Sequence, residues 1–439
     1  MPHAGDRQRR STPPAGTAPA LSILARRVRG FSKRADNRFG RLWVSTGMAN
    51  LGDGLLLAGL PVVASTVTTS PVFISLVHVS VFGPMLLAAL PSGVAADRND
   101  RTKLMTRSNL VRAAGLAGLA LTVATGQWVL AAVYLAGVLL GTLETLSDIA
   151  AQSAVPMIVP EAALAAANSR MIGTQQVANS AVGAPVGGAL ATLGTGWLLG
   201  VSAVLYAAAG LVSRTLGALT PGGGRERGGS VRRDVGEGFR FLWRHPALRP
   251  IGLTNGVTNL GNSAFFGVGV LFLIGPYGLP RGAYGLALAL LAAGAVIGTV
   301  MSAWAVRRLG HRAVLLVGVT TNGATYALVG LLRSPVIAGI SLVVLGAAGM
   351  LWNVTNRVLR QTLTPAAMLG RVSSVMRVLA LSASPLGALS GGLAAERFGL
   401  SSVTAITTLC ALASLVLVLR IPGPMLRYNL DRDHLGEDP

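Results

Sequence analysis

"GVAADRNDRTKL", residues 93–104, places five ionisable side chains (Asp97, Arg98, Asp100, Arg101 and Lys103) between two long apolar runs. Charge is scarce elsewhere: 12% of residues are Asp, Glu, Lys or Arg, 51% are hydrophobic, and mean hydropathy is +0.59. Soluble domains carry roughly 25% charged residues. A water-soluble chain of 439 residues would need polar surface around two or three cores, and this one lacks it. The stretch therefore reads as a turn outside a bilayer, and the chain as an all-α membrane protein.

The formal net charge is +21, carried mostly by arginine. Arginine clusters recur between apolar stretches, without interleaved aromatics, which is the distribution of a positive-inside membrane protein and not of a nucleic-acid footprint. The single cysteine, Cys410, allows neither an intrachain disulfide nor a cysteine metal cage. Residues 1–40 contain many arginines and prolines but no continuous apolar core, so no cleavable signal is expected there. Segment 21–31, "LSILARRVRGF", has two readings, a helix on an anionic membrane surface or a solvated basic tail.

A bilayer core takes about 20 apolar residues per helix. Twelve such windows fit: 42–65, 71–95, 104–125, 128–148, 171–193, 197–217, 250–274, 283–306, 313–332, 335–355, 373–395 and 401–421. With the basic N-terminus inside, the inner links hold Arg98, Arg101, Lys103, Arg170, Arg225, Arg227, Arg232, Arg233, Arg307, Arg308, Arg312, Arg357, Arg360 and Arg371. The outer links hold Arg281, Arg333 and Arg397. The asymmetry expects both termini in the cytoplasm and a multi-pass protein of the inner membrane. The expected organisation is a basic tail (1–40), a six-helix bundle (41–217), a cytoplasmic linker ending in an amphipathic helix (218–249), a second six-helix bundle (250–422) and a C-terminal tail (423–439).

The halves repeat. "PEAALAAANS" (160–169) and "PAAMLGRVSS" (365–374) share Pro160/Pro365, Leu164/Leu369 and Ser169/Ser374 at identical offsets, and "APVGGAL" (184–190) has a counterpart in "SPLGALSGGL" (384–393). A parallel duplication of six helices follows, with substrate expected between the halves.

These residues resemble the major facilitator superfamily. "GVAADRNDRTK" is similar to its signature between helices two and three: Gly93, Asp97, Arg98 and Arg101 fit, while Asp100 stands where the general pattern has Gly. In the second half "AWAVRRLGHR" (303–312) keeps Gly310 but has Arg307 in place of the acid. "NSAVGAPVGG" (179–188) resembles the helix-five antiporter motif, with Ala184 replacing the Gly before Pro185. The stretches 144–168, 236–250 and 356–374 look like the branch that holds enterobactin exporters and macrolide efflux proteins. The resemblance implies twelve transmembrane helices in two pseudo-symmetric bundles. It also implies a secondary transporter that exports a small amphipathic or hydrophobic molecule, such as a drug, siderophore or other natural product, by proton antiport. Uptake or facilitated diffusion of a metabolite, and a non-transporting sensor or assembly factor, are the alternatives.

Asp in a membrane helix costs about 2.5–3.5 kcal/mol on insertion scales, so each one needs a reason. Asp53 in the first window, and Glu144 with Asp148 on one face of the fourth, are candidates for proton coupling, with Arg112 as the intramembrane partner. The plainer readings are a structural hydrogen bond for Asp53, a solvated boundary for Asp148 and a snorkelling Arg112. Asn255, Asn259 and Asn262 share a helix face and suit a substrate cavity or interhelical amide bonding. His78 either titrates near neutrality or is packed. Gly183, Pro185, Gly187 and Gly188, with Pro385, Gly387, Gly391 and Gly392, suit close contact at a rocking interface or ordinary packing. Gly93, Asp97, Arg98 and Arg101 are read as a conformational latch, Asp97 facing the N-terminal dipole of helix eleven near Ser373. No phosphate loop, metal spacing or nucleophile elbow is present, so neither enzyme nor cofactor is expected. The expected partners are lipid, a small-molecule substrate and protons, with the protein a monomer.

Overall fold

The computed structural model describes residues 18–220, 231–332 and 334–422. Residues 1–17 of the N-terminal tail, the C-terminal tail 423–439, Arg225, Arg227 and Arg333 lie outside the described residues. The first half contains α1 (Ala18–Ser65), α2 (Pro71–Arg98), α3 (Arg101–Thr125), α4 (Val129–Ile158), α5 (Leu164–Gln176), α6 (Ala184–Leu193) and α7 (Thr195–Arg214). After the linker helix α8 (Val231–Arg244) come α9 (Leu248–Gly267), α10 (Gly269–Ile274), α11 (Ala283–Leu331), α12 (Pro335–Leu363), α13 (Ala366–Phe398) and α14 (Ser401–Leu419).

Among the described residues nine helices are long and apolar enough to cross a bilayer. Local breaks reconcile that number with twelve windows. α11 turns back at Gly310, whose φ of 78° suits glycine, so 283–309 and 311–331 are separate spans. α5 and α6 form one span joined by a π-helical turn, Val177–Gly183, in which the Ala184 amide bonds to Asn179 O five residues back. Pro185 lacks an N–H and its ring crowds the preceding turn, and the widened turn accommodates it. α9 and α10 form another span, interrupted at Val268 between two glycines.

The turns alternate between two ends of the molecule. Arg101 Nη1 and its amide meet Leu219 O, Arg312 Nη2 meets Leu419 O, and Glu237 pairs with Arg371 at 2.9 Å, all at what we term the linker end. Ser70 meets Glu396, and Arg281 meets Ser65, at the far end.

Apolar packing differs at the two ends. One cluster runs through both halves at mid-depth and the far end, including Leu55, Ile74, Leu198, Phe265, Tyr284 and Leu288. At the linker end each half keeps its own: Leu42, Met105, Ala151 and Met171 in the first, Leu242, Ile251, Leu315 and Val375 in the second. The halves are joined at the far end and parted at the linker end.

Candidate functional site

Asp53 lies in α1 within "NLGDG" (50–54), between two glycines that the packing requires. A Cβ on Gly52 would lie 3.1 Å from the Tyr206 ring, and one on Gly54 would collide with the Asn179 backbone in the π turn. The glycines let α7 and the widened turn close around the carboxylate. Asp53 Oδ1 accepts from Arg112 Nη1 at 2.7 Å and from the Tyr206 hydroxyl at 2.6 Å. Arg112 Nη2 donates to Asn109 Oδ1, and the guanidinium lies 4.3 Å from the Tyr206 ring centroid. Arg112 is 1% exposed and Tyr206 fully buried, which excludes snorkelling. An unpaired buried charge would be strongly destabilising, and this geometry pairs it and adds hydrogen bonds.

Beside the pair is a cavity of about 190 Å³ whose lining includes Asp53, His78, Phe82, Glu144, Asn179 and Tyr206, with Leu56, Leu60 and Leu140 among its apolar residues. Every lining residue belongs to the first half, so the cavity lies inside that half and not across the interface that the duplication suggested. Glu144 faces it. Asp148, one turn on, accepts from Gln175 Nε2 at 3.0 Å. Of the four proton-coupling candidates, Asp53 and Arg112 are joined directly, Glu144 shares the cavity wall with Asp53, and Asp148 is held by Gln175 one turn further along α4. His78 joins the halves: its Nε2 lies 2.9 Å from Ser384 Oγ, which in turn lies 2.9 Å from Ser263 Oγ.

The three asparagines are placed elsewhere. Asn262 Oδ1 accepts from the Tyr326 hydroxyl at 3.1 Å and Asn322 Nδ2 at 3.4 Å, and Asn259 Nδ2 donates to Asn255 O at 2.8 Å. None of them lines the cavity beside Asp53. "NLGNS" (259–263) is the repeat of "NLGDG" (50–54), which aligns Asn262 with Asp53. The second half thus carries a neutral amide contact between α9 and α11 where the first carries an ion pair between α1 and α3. Comparing these two pentapeptides singles out Asp53 from sequence a second way, beside the cost of a carboxylate in an apolar helix. Tyr206 gives no such signal and is visible only in the structure.

In the signature stretch, a Cβ on Gly93 would meet nothing within 4 Å, and Asp97 and Arg98 are exposed. Asp97 makes no hydrogen bond or ion pair among the described residues. The expected contact with α13 is open in this conformation. Asp100, the departure from the family pattern, caps α3 by accepting from Thr102 N and also accepts from Leu219 N, both at 3.0 Å, while Arg101 is buried against the same segment.

The Gly/Pro stretches form close backbone contacts. Gly183 and Gly187 pack on Gly54 and Leu55 of α1, and Gly188 meets Gly285 of the other half. Gly387 and Gly391 pack on Leu260 and Ala264 of α9, and Gly392 meets Ser75 of the other half. The glycine triads are therefore the equivalent positions, and the apparent match of Pro185 with Pro385 is shifted. The path from Ser169 to Gly183 is one residue longer than that from Ser374 to Gly387, and the π turn takes up the extra residue.

Comparison with known proteins agrees with this architecture. The chain is 29% identical over 361 residues to the enterobactin exporter EntS of Escherichia coli O1:K1 / APEC, covering 80% of this chain and 84% of that one. It superposes on the nucleoside transporter NupG with a TM-score of 0.68 at 15% identity, covering 90% of this chain and 100% of that chain. A bacterial homolog of the human lysosomal transporter Spinster, in an inward-facing and occupied conformation, gives 0.69 at 14% identity, covering 90% and 98%. The model of the Major Facilitator Superfamily matches residues 42–388. With its helical spans in two repeated halves and a buried charge pair beside a cavity, the chain belongs to the Major Facilitator Superfamily and is a multi-pass membrane transporter, not an enzyme.

Proposed function

We propose that this protein exports a small amphipathic or hydrophobic molecule across the inner membrane by exchange with protons, working as a monomer with both termini in the cytoplasm. The observation that carries the reading is the Asp53–Arg112–Tyr206 cluster at the wall of a largely apolar cavity that also exposes Glu144. A proton arriving on Asp53 would remove half of the ion pair, and Arg112 would then turn to Glu144, which lines the same cavity as Asp53. Protonation would thereby change which carboxylate faces the substrate, the differential interaction that coupling needs. Leucines and Phe82 suit an apolar body, while Glu144 and Asn179 offer polar contacts.

Positive charge at the linker end supports its assignment to the cytoplasm. The conformation is then inward-open, since the halves part there. Export is supported by the activity of the EntS relatives and by the stretch 179–188, which resembles the helix-five antiporter motif. The test is efflux from proteoliposomes with an imposed pH gradient, wild type beside Asp53→Asn. Wild-type flux should follow the gradient, and the variant's should not. Wild-type flux that ignores the gradient would refute proton exchange.

A further inference from the structure

The signature hexapeptide "GVAADR" (93–98), at the linker end of α2, has a second copy at the far end of α13: "GLAAER" (392–397). Both have glycine, an aliphatic residue, two alanines, an acid and arginine. α2 and α13 pack on one another and run in opposite directions, so each hexapeptide ends its own helix beside the beginning of the other.

The two copies are in opposite states. Gly392 is pressed against α2, where a Cβ would collide with Ser75 Oγ and come within 3.0 Å of Pro71 O. One turn on, Glu396 accepts from Ser70 Oγ at 2.8 Å and Val72 N at 3.4 Å, placing a carboxylate on the N-terminus of α2. Ser70 is the N-cap of that helix, and its own Oγ accepts from Phe73 N. A negative charge at unsatisfied amides is favourable. In the other copy Gly93 faces open space and Asp97 is exposed. The helix register that sets Glu396 against Ser70 and Gly392 against Ser75 would set Asp97 against the first turn of α13, residues 366–369, when the linker end closes. A second clasp strengthens the far end, where Arg281 Nε donates to Ser65 O at the last turn of α1, at 3.3 Å.

We infer that α2 and α13 carry a matched pair of acid-on-helix-terminus latches, Glu396 at the far end and Asp97 at the linker end, that engage alternately and hold the two end states at similar free energy. The inference rests on the alternating-access reading given above. It assigns to Glu396 the task that the signature motif gives Asp97, with the opposite sign. Gly93 and Gly392 set how closely the helices can meet at each latch.

Spin-label distances test it in the full-length protein. One pair, Trp128→Cys with Leu331→Cys, reports the far end, and Arg107→Cys with Arg308→Cys reports the linker end, both in a Cys410→Ser background. All four labelled positions are exposed. Glu396→Gln should lower the ratio of far-end-closed to far-end-open molecules by about three- to tenfold. Asp97→Asn should raise that ratio, and the double variant should return it toward wild type. Gly392→Ala should act in the direction of Glu396→Gln and Gly93→Ala in that of Asp97→Asn, which separates a latch from the loss of one carboxylate. The latch is overturned if Glu396→Gln leaves both distance distributions unchanged, or if the two acid variants shift them the same way. A wild type with one narrow population at both ends, in the presence and absence of a pH gradient, would overturn alternating access itself.

Discussion

Arg112 and Tyr206 converge on a single oxygen of Asp53, at 2.7 and 2.6 Å, from two helices, α3 and α7, that pack on one another. This buried triad ties α1, α3 and α7 together beside the cavity of the first half. Its members should therefore show large and unequal effects on stability. Arg112→Leu leaves a lone buried carboxylate and should destabilise the protein by about 3–5 kcal/mol. Asp53→Asn with Arg112→Asn reproduces the neutral pair present at Asn262 and Asn322 and should keep most of the stability while losing coupling to pH. Thermal unfolding in detergent compares the two. Equal losses would show that the second half is no guide to the first.

Tyr206→Phe removes one hydrogen bond to a charged group and nothing else. It should cost about 1.5–3 kcal/mol, less than Arg112→Leu, because the ion pair persists. The same unfolding measurement checks the order of the two variants.

Gly54→Ala drives a methyl group into the Asn179 backbone, where no side chain can rotate away. Overpacking of this kind costs about 1–3 kcal/mol. Efflux should fall with it, because the π turn and the Asp53 cluster share that contact. Gly118→Ala, at a position with nothing within 4 Å, should change neither melting nor efflux.

His245 sits between α8 and α9, and its Nδ1 accepts from the amides of Ala247 and Leu248, both at 3.2 Å. Partial burial lowers its pKa below the ordinary value, because burial penalises the charged imidazolium. The folded state thus binds the proton more weakly than the unfolded one. Its contribution is intact above the unfolded pKa, about 6.5, and is lost as pH falls from there through the folded value. Amide exchange across residues 245–250 should speed up on acidification below that point. His245→Gln should flatten the dependence, and an unchanged pH profile in that variant would locate the titration elsewhere.

Spans and duplication were legible in the sequence because a bilayer enforces long apolar runs and keeps arginine out of them. The Asp53–Arg112 pair was legible for a related reason, since two buried charges in apolar helices need one another. The π turn was not, because its cause is a one-residue difference between halves that the two prolines disguise. The asparagines were legible as a stripe, but a stripe does not say which neighbour it faces. Tyr206 was hidden because a tyrosine in an apolar helix is common, and only the glycine beneath its ring marks its place.

Gly188 and Gly285 bring the main chains of α6 and α11 into direct contact at the far end, with no side chain between them. Such a seam has no rotamers to trap and no polar side chains to dehydrate, so it can part and reseal on each cycle without rearranging its own surface. It also leaves little room for a file of water, so in the proton exchange proposed above protons should reach the Asp53 cluster only by the route proposed for substrate. Widening that seam by a single methyl group should appear first as a proton leak, before any loss of folding.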